Sequence, residues 1–96
     1  MKYIIYRTKE YREWYDSQIP KVKWQIDERL SKIEKYGYFG DHRFLDDIWE
    51  LKWENGRRIY YAFTQQTNIL FLLGGLKNAQ KKDIKKARLI IEKYCI

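Results

Sequence analysis

The sequence predicts an α+β domain in which a mostly antiparallel sheet packs against helices. Apolar residues recur every three or four positions between residues 20 and 37, as in an amphipathic helix. Segments rich in β-branched and aromatic residues follow between residues 48 and 73, and Glu54-Asn55-Gly56 is a hairpin signal. The predicted order is β-α-α-β-β-β-α. A chain of 96 residues suits one domain, so we expect residues 1–96 to form a single one.

The first third of the chain contains signals for one strand and two helices. Tyr3–Tyr6 reads as a short strand, and Thr8 is placed to cap a helix that stops near Ser17. Pro20 suits the first turn of a second helix, and Gly37 is placed to end it. The apolar stripe of this second helix consists of Val22, Ile26, Leu30 and Ile33.

The remainder of the chain is predicted to form three strands and a last helix. Gly37–Asp47 is predicted to be a loop. The strands cover about Ile48–Glu54, Arg57–Thr64 and Asn68–Leu73. Asn78 is placed to cap the last helix. The inner stripe of that helix is predicted to consist of Ile84, Ala87, Ile91 and Tyr94.

The register of the hairpin decides which side chains share a face of the sheet. A two-residue turn would pair Lys52 with Ile59, whereas a three-residue turn with Gly56 in a left-handed conformation pairs Lys52 with Arg58. Only the three-residue turn separates apolar from polar side chains, so we predict it. One face then carries Trp49, Leu51, Trp53, Ile59, Tyr61 and Phe63, with Arg57 at the tip. The other face carries Glu50, Lys52, Arg58 and Tyr60.

Two interpretations fit this polar face. Charged residues on a strand most often form cross-strand ion pairs on a solvated surface. The same residue types can also bind phosphate, because arginine grips phosphate oxygens with two donors and lysine adds a point charge.

The charge and the cysteine content limit the function classes. Twenty Lys and Arg against 13 Asp and Glu give a net charge of +7, which favours a nucleic acid or an acidic protein as partner, although solubility alone also accounts for it. The lone Cys95 cannot form an internal disulfide, and one cysteine with one histidine is no metal site. The longest apolar run is too short to span a bilayer, so we expect a cytoplasmic protein with no membrane partner.

From Gly37 onward the sequence resembles the RelE/ParE superfamily of bacterial toxins, and within it the HigB-like branch of addiction module killer proteins. The resemblance rests on short motifs that occur in family order and at family spacing. These are Gly40-Asp41, Trp49-Glu50-Leu51-Lys52, Gly56-Arg57-Arg58-Ile59-Tyr60-Tyr61, Gly74-Gly75-Leu76-Lys77 and Gln80…Asp83-Ile84…Ala87. The resemblance implies a RelE-like fold over the chain.

The resemblance also implies the chemistry. RelE-like toxins cleave messenger RNA, usually on the ribosome, without a metal or other cofactor, by attack of a 2′-hydroxyl on the adjacent phosphate. Carried over by position, Arg58 would grip the scissile phosphate, while Lys52 and Lys77 would stabilise transition-state charge. Further basic residues are predicted to bind RNA, namely Arg57, Lys81 and Lys82.

Proton transfer is where this sequence departs from RelE. Glu50 stands where RelE has a lysine, and it is either a base or an ion-pair partner that orients Lys52. The last helix lacks the tyrosine that RelE carries there, which leaves Tyr60 or Tyr94 as substitutes. His42, the only histidine, matches no family motif and reads as a loop residue.

The resemblance implies partners as well. We expect messenger RNA, the ribosome and a cognate antitoxin, a small helix-turn-helix protein in the HigB-like branch. Two alternatives stay open: a ParE-like inhibitor of DNA gyrase that acts by binding alone, and a catalytically degenerate family member.

Overall fold

The computed structural model of the chain describes residues 2–94, so Cys95 lies outside the described residues. The strands and helices follow one another in an α+β order. They are β1 Ile4–Arg7, α1 Lys9–Asp16, α2 Pro20–Tyr36, β2 His42–Phe44, β3 Trp49–Lys52, β4 Arg57–Gln65, β5 Asn68–Leu76 and α3 Gln80–Tyr94, with a 3₁₀ turn at Lys77–Ala79 before α3.

The strands form one sheet in the order β1-β5-β4-β3-β2. Strand β1 runs parallel to β5, and the other neighbouring pairs are antiparallel. The predicted α+β class with a mostly antiparallel sheet is therefore confirmed.

The prediction of a loop over Gly37–Asp47 is wrong in part, because this segment contains β2, which pairs Phe44 with Trp49 of β3. Every side chain of β2 is exposed, so no alternation of apolar residues marks it in the sequence.

The helix ends show which local signals decided the structure. The Thr8 hydroxyl accepts a hydrogen bond from the Tyr11 N–H at 3.0 Å, as a helix N-cap does. Pro20 is the first residue of α2, and Gly37 ends it with a φ of 69°. The predicted cap at Asn78 is wrong, because Asn78 lies inside the 3₁₀ turn.

Helices cover both faces of the sheet and bury a core on each. On the first, here called the α1/α2 face, the buried residues are Ile5, Tyr11, Ile26, Leu30, Ile33, Leu51, Ile59, Tyr61, Ile69 and Phe71. On the second, the α3 face, they are Ile48, Tyr60, Ala62, Leu70, Leu72, Leu73, Ala87 and Ile90. The stripe predicted for α3 needs one correction, because Ile90 is buried and Tyr94 is exposed.

The hairpin has the predicted three-residue turn. Lys52 pairs with Arg58, the Trp53 N–H donates to the Arg57 carbonyl at 3.0 Å, and Gly56 has a φ of 95°. The register therefore places Glu50, Lys52, Arg58 and Tyr60 on the α3 face, as the alternation of side chains predicted.

Candidate functional site

The candidate site lies on the α3 face, where the first turn of α3 crosses the hairpin strands. Gly75 of β5 pairs with Arg58, and a Cβ built on Gly75 would collide with the Asp83 carboxylate. The absence of a side chain at this position therefore lets α3 approach the sheet closely. Burial raises the pKa of Asp83 in this contact.

Main-chain carbonyls of the hairpin hold the Arg58 side chain in place. It is only 7% exposed, and its Nη1 donates to the carbonyls of Trp53 at 3.2 Å and of Arg57 at 3.0 Å. Its Nε lies 3.9 Å from Glu50 Oε2. These contacts fix the guanidinium against the sheet, while Nη2 makes no hydrogen bond within residues 2–94.

Glu50 is the central anion of the site and is fully buried. The Gln80 amide donates to its Oε2 at 2.6 Å, and Arg43 Nη2 lies 3.3 Å from its Oε1. Of the two roles predicted for Glu50, these contacts fit that of an ion-pair partner. The cation that it faces is Arg58 rather than Lys52.

Tyr60 is fully buried beside Glu50. Burial, and next the neighbouring carboxylate of Glu50, raise the pKa of its hydroxyl, so Tyr60 stays protonated at neutral pH. Three buried atoms of this cluster have no hydrogen-bond partner within residues 2–94, namely Glu50 Oε1, Arg58 Nε and Tyr60 OH. Buried polar groups are nearly always satisfied, so a concentration of unsatisfied ones marks a special site.

Two lysines line the rim of this cluster. Lys52 is half-buried and lies opposite Arg58 in the register. Lys77 is exposed, and its N–H donates to the Gly56 carbonyl at 2.7 Å, which places it beside the hairpin turn. A cleft of about 570 Å³ is lined by this turn and by the start of the 3₁₀ segment that carries Lys77.

The residues predicted to bind RNA separate into two groups. Lys81 and Lys82 are exposed on the first turn of α3, next to Gln80. Arg57 lies on the α1/α2 face, where it is 8% exposed and donates to the Gln25 side chain at 3.2 Å. Arg57 lies at the tip of the hairpin as predicted, but it is not an exception to the buried face, because α2 covers it.

The remaining candidates lie elsewhere. His42 is exposed in β2 with Nδ1 2.8 Å from the Gly40 carbonyl. Tyr94 lies at the far end of α3, where its hydroxyl donates to Glu10. Asp47 pairs with Arg88, and within residues 2–94 no group of three His, Cys, Asp or Glu could hold a metal ion. None of the helices over this range is long and apolar enough to cross a membrane.

Sequence reasoning missed two residues of the site. Gln80 looked like a residue of a helix start, and Arg43 fell in a predicted loop. Both reach Glu50 across the chain, Gln80 from 30 residues away. The local signal for the crossing of α3, the helix that begins at Gln80, was Gly75, because a strand residue without a side chain indicates close approach of another element.

Comparison with known proteins identifies relatives by sequence and by structure. No family model matches the chain. An uncharacterized protein of Haemophilus influenzae is 33% identical over 86 residues, which cover 81% of this chain and 86% of that protein. The two proteins therefore belong to one family.

Solved structures extend the comparison to the fold. A mutant of the Escherichia coli toxin RelE in the free state matches with a TM-score of 0.69 at 13% identity, over 97% of this chain and 98% of that one. The chain has the RelE fold. The isolated E. coli RelE toxin gives a TM-score of 0.62 at 13% identity, covering 88% and 97% of the two chains. The RelBE2 toxin-antitoxin complex of Mycobacterium tuberculosis gives 0.59 at 14% identity, covering 79% and 99%. These RelE-fold neighbours support the RelE resemblance and do not single out its HigB-like branch.

Proposed function

We propose that this protein is the toxin of a type II toxin-antitoxin system and cleaves messenger RNA on the ribosome without a metal, in the cytoplasm. The observation that supports the proposal is the Arg58 guanidinium, which Glu50 and main-chain carbonyls hold against the sheet of a RelE fold. Lys52 lies opposite Arg58 in the register, and Lys77 follows two residues after Gly75, the partner of Arg58 on β5. A fixed cation beside two further cations is suited to a phosphate whose charge increases during reaction.

In the proposed reaction the 2′-hydroxyl loses its proton to water and its oxygen attacks the adjacent phosphate, while the bond to the 5′ oxygen breaks. The 5′ oxygen takes up a proton from water to leave a 5′-hydroxyl, and the other fragment ends in a 2′,3′-cyclic phosphate. Arg58 binds a phosphate oxygen through the free Nη2 edge, and Lys52 and Lys77 stabilise the charge of the transition state. Glu50 and Tyr60 are buried and do not touch RNA in this proposal. Glu50 orients Arg58, and Tyr60 supports Glu50 from the core. Lys81 and Lys82 contact the RNA backbone beside the site, because they are exposed at the same end of α3.

The proposed protein partner is a cognate antitoxin. The toxin-antitoxin complex among the structural neighbours supports a partner of this kind. A helix-turn-helix antitoxin follows from the HigB-like sequence resemblance. The net charge of +7 favours acidic contacts in that interface.

The test maps new 5′ ends of cellular messenger RNA shortly after induction of wild-type protein, Arg58→Lys, and the double variant Lys52→Ala/Lys77→Ala. We expect cleavage within translated frames for wild type and at least about a hundredfold less for both variants, on the scale of one lost charge-stabilising group. Lys21→Ala, an exposed lysine on α2, is the matched control and should cleave normally. Circular dichroism verifies that each variant is folded.

Two results would contradict the proposal. Growth arrest with intact transcripts and DNA-damage signalling would make gyrase inhibition the better explanation. Cleavage that persists in folded Lys52→Ala/Lys77→Ala would remove the two lysines from the site.

A further inference from the structure

A second groove lies on the α1/α2 side of the hairpin, outside the cluster around Arg58. Its volume is about 380 Å³, and it runs between α2, the loop that follows α2, and the end of β3. We call it the Trp24 groove, and the residues that matter for its chemistry are Trp24, Arg29, Lys32, Tyr38, Lys52 and Trp53.

Arg29 forms a rigid floor for this groove. Its Nε donates to the Phe39 carbonyl at 3.0 Å, and its two terminal nitrogens donate to the carbonyls of Lys52 and Asp41. The guanidinium carbon also lies 4.3 Å from the centre of the Trp53 ring, a cation–π contact. One side chain therefore joins α2, the loop and β3, so the groove has a defined shape before any ligand binds.

Two aromatic side chains flank this floor and are largely open to solvent. Trp24 is 64% exposed and Tyr38 is 62% exposed. Large aromatic residues usually bury most of their surface, and neighbouring exposed ones mark binding surfaces. Trp24 lies outside the apolar stripe of α2, because Val22, Ile26, Leu30 and Ile33 face the sheet, so packing does not account for its position.

We propose that the Trp24 groove binds an unpaired base of a single-stranded RNA whose backbone continues to the Arg58 site. This inference rests on the proposed function and adds a subsite to it. Exposed aromatic rings combined with cations are the means by which proteins bind single-stranded nucleic acid, since every base has a face that can stack. Here Trp24 and Tyr38 provide the faces, and Lys32, which forms an exposed ion pair with Glu28, provides a cation beside them.

The position of Lys52 makes RNA the occupant that fits best. Lys52 ends β3, lines the groove and pairs with Arg58 across β3 and β4, so this one residue borders both sites although they lie on opposite faces of the sheet. A strand bound at Arg58 can therefore reach the groove around the end of β3. Three cations line the groove, namely Arg29, Lys32 and Lys52, against the two carboxylates of Glu28 and Glu54, and the chain as a whole carries +7, which favours a polyanion over an apolar protein segment.

The test measures binding of a short single-stranded RNA with 2′-O-methyl groups, which the proposed reaction cannot cleave. Fluorescence anisotropy gives Kd for wild type, Trp24→Ala, Trp24→Phe and Tyr38→Ala. We expect Trp24→Ala to weaken binding about tenfold, the scale of one lost base stack. Trp24→Phe, which keeps an aromatic face, should recover most of the affinity. Tyr36→Ala is the matched control, because Tyr36 is 72% exposed on the same helix and does not line the groove.

A cleavage assay on ribosomes that carry the unmodified RNA separates this inference from the proposed function. Trp24→Ala should raise KM and leave kcat unchanged, whereas Arg58→Lys should lower kcat. Wild-type Kd for Trp24→Ala would overturn the groove as a base site even if the protein cleaves RNA. Binding that depends on Trp24 in a protein without cleavage activity would support the groove and reject the nuclease. If Trp24→Ala weakens only antitoxin binding, the groove is a protein interface and the inference is wrong.

Discussion

The two faces of the sheet differ in how completely they satisfy the arginines that they hold. On the α1/α2 face, every nitrogen of the Arg29 guanidinium donates to a main-chain carbonyl, and the group stacks on Trp53. On the α3 face, Arg58 Nε has no hydrogen-bond partner within residues 2–94, and Glu50 Oε1 has only the ion-pair contact with Arg43 at 3.3 Å. Arg29 forms hydrogen bonds through all three of its guanidinium nitrogens, whereas Arg58 forms them through Nη1 alone.

This difference indicates that the polar network on the α3 face lowers the stability of the protein, as functional sites often do. A polar network whose members are all satisfied makes a structure rigid, and one that is partly satisfied lowers its stability. Of the four unsatisfied buried side-chain atoms in the described chain, three belong to the cluster of Glu50, Arg58 and Tyr60, and the fourth is the hydroxyl of Tyr11. Sequences depart from local consistency mainly at functional or strained sites. The α3 face is therefore where we expect substitutions to separate activity from stability.

The largest expected effect comes from removing one member of the buried pair on the α3 face. Glu50→Leu leaves the Arg58 cation buried with only carbonyl partners, and we expect it to lower the free energy of unfolding by about 3 kcal/mol. Arg58→Met leaves the Glu50 anion with Arg43 and Gln80 and should have a similar effect. Urea denaturation of both single variants measures these values.

The double variant Glu50→Leu/Arg58→Met sharpens the comparison. Because it leaves no buried unpaired charge, and Arg43 is exposed to solvent, it should be more stable than either single variant. If the losses of unfolding free energy in the two single variants add up to the loss in the double variant, the charges of Glu50 and Arg58 are not coupled. The contrast drawn above between Arg58 and Arg29 would then not hold.

The local signals in the sequence were sufficient for the hairpin and the helix starts. Thr8, Pro20 and Gly37 act through neighbouring residues, and the register followed because only one pairing separated the aromatic from the charged side chains. The polar face was thus predictable, and with it the position of Arg58 beside Lys52.

Contacts between distant parts of the chain were not predictable. Strand β2 exists through its pairing with β3 and has no pattern of its own. The burial of Glu50 depends on α3 crossing the sheet, which brings Gln80 onto it. Arg57 is a third case, because only the position of α2 decides that its side chain is covered.

Two adjacent glycines of β5 allow the faces to be compared directly. A Cβ on Gly74 would collide with the Trp14 ring on the α1/α2 face, and a Cβ on Gly75 would collide with the Asp83 carboxylate on the α3 face. We expect Gly74→Ala to cost about 2 kcal/mol, because a large packed ring and its backbone must move. Gly75→Ala should cost about 1 kcal/mol, because a half-buried carboxylate can rotate away. Thermal unfolding ranks the two variants, and Asp83→Ala should restore stability to Gly75→Ala but not to Gly74→Ala.

The smallest expected effect is a dependence on pH at Tyr15, on the α1/α2 side. Its hydroxyl donates to Asp27 at 2.6 Å, and this hydrogen bond raises the pKa of Tyr15 to about 12 from an ordinary value of 10.0. Because the protonated form is favoured in the folded protein, its contribution is complete below pH 10 and is lost as the pH rises towards 12. Tyr15 is partly solvated, so we expect less than about 1 kcal/mol.

Tyr15→Phe isolates this contribution from the other tyrosines. Burial also raises the pKa of Tyr11, Tyr60 and Tyr61, so the wild-type protein loses stability at high pH through several groups at once. The free energy of unfolding of Tyr15→Phe should therefore fall less steeply than that of wild type between pH 10 and 12, and below pH 9 the difference between the two proteins should be constant. Parallel curves over the whole range would mean that the bond to Asp27 does not favour the protonated form. That result would contradict the view that polar groups on the α1/α2 side, such as the Tyr15 hydroxyl, stabilise the fold through their hydrogen bonds.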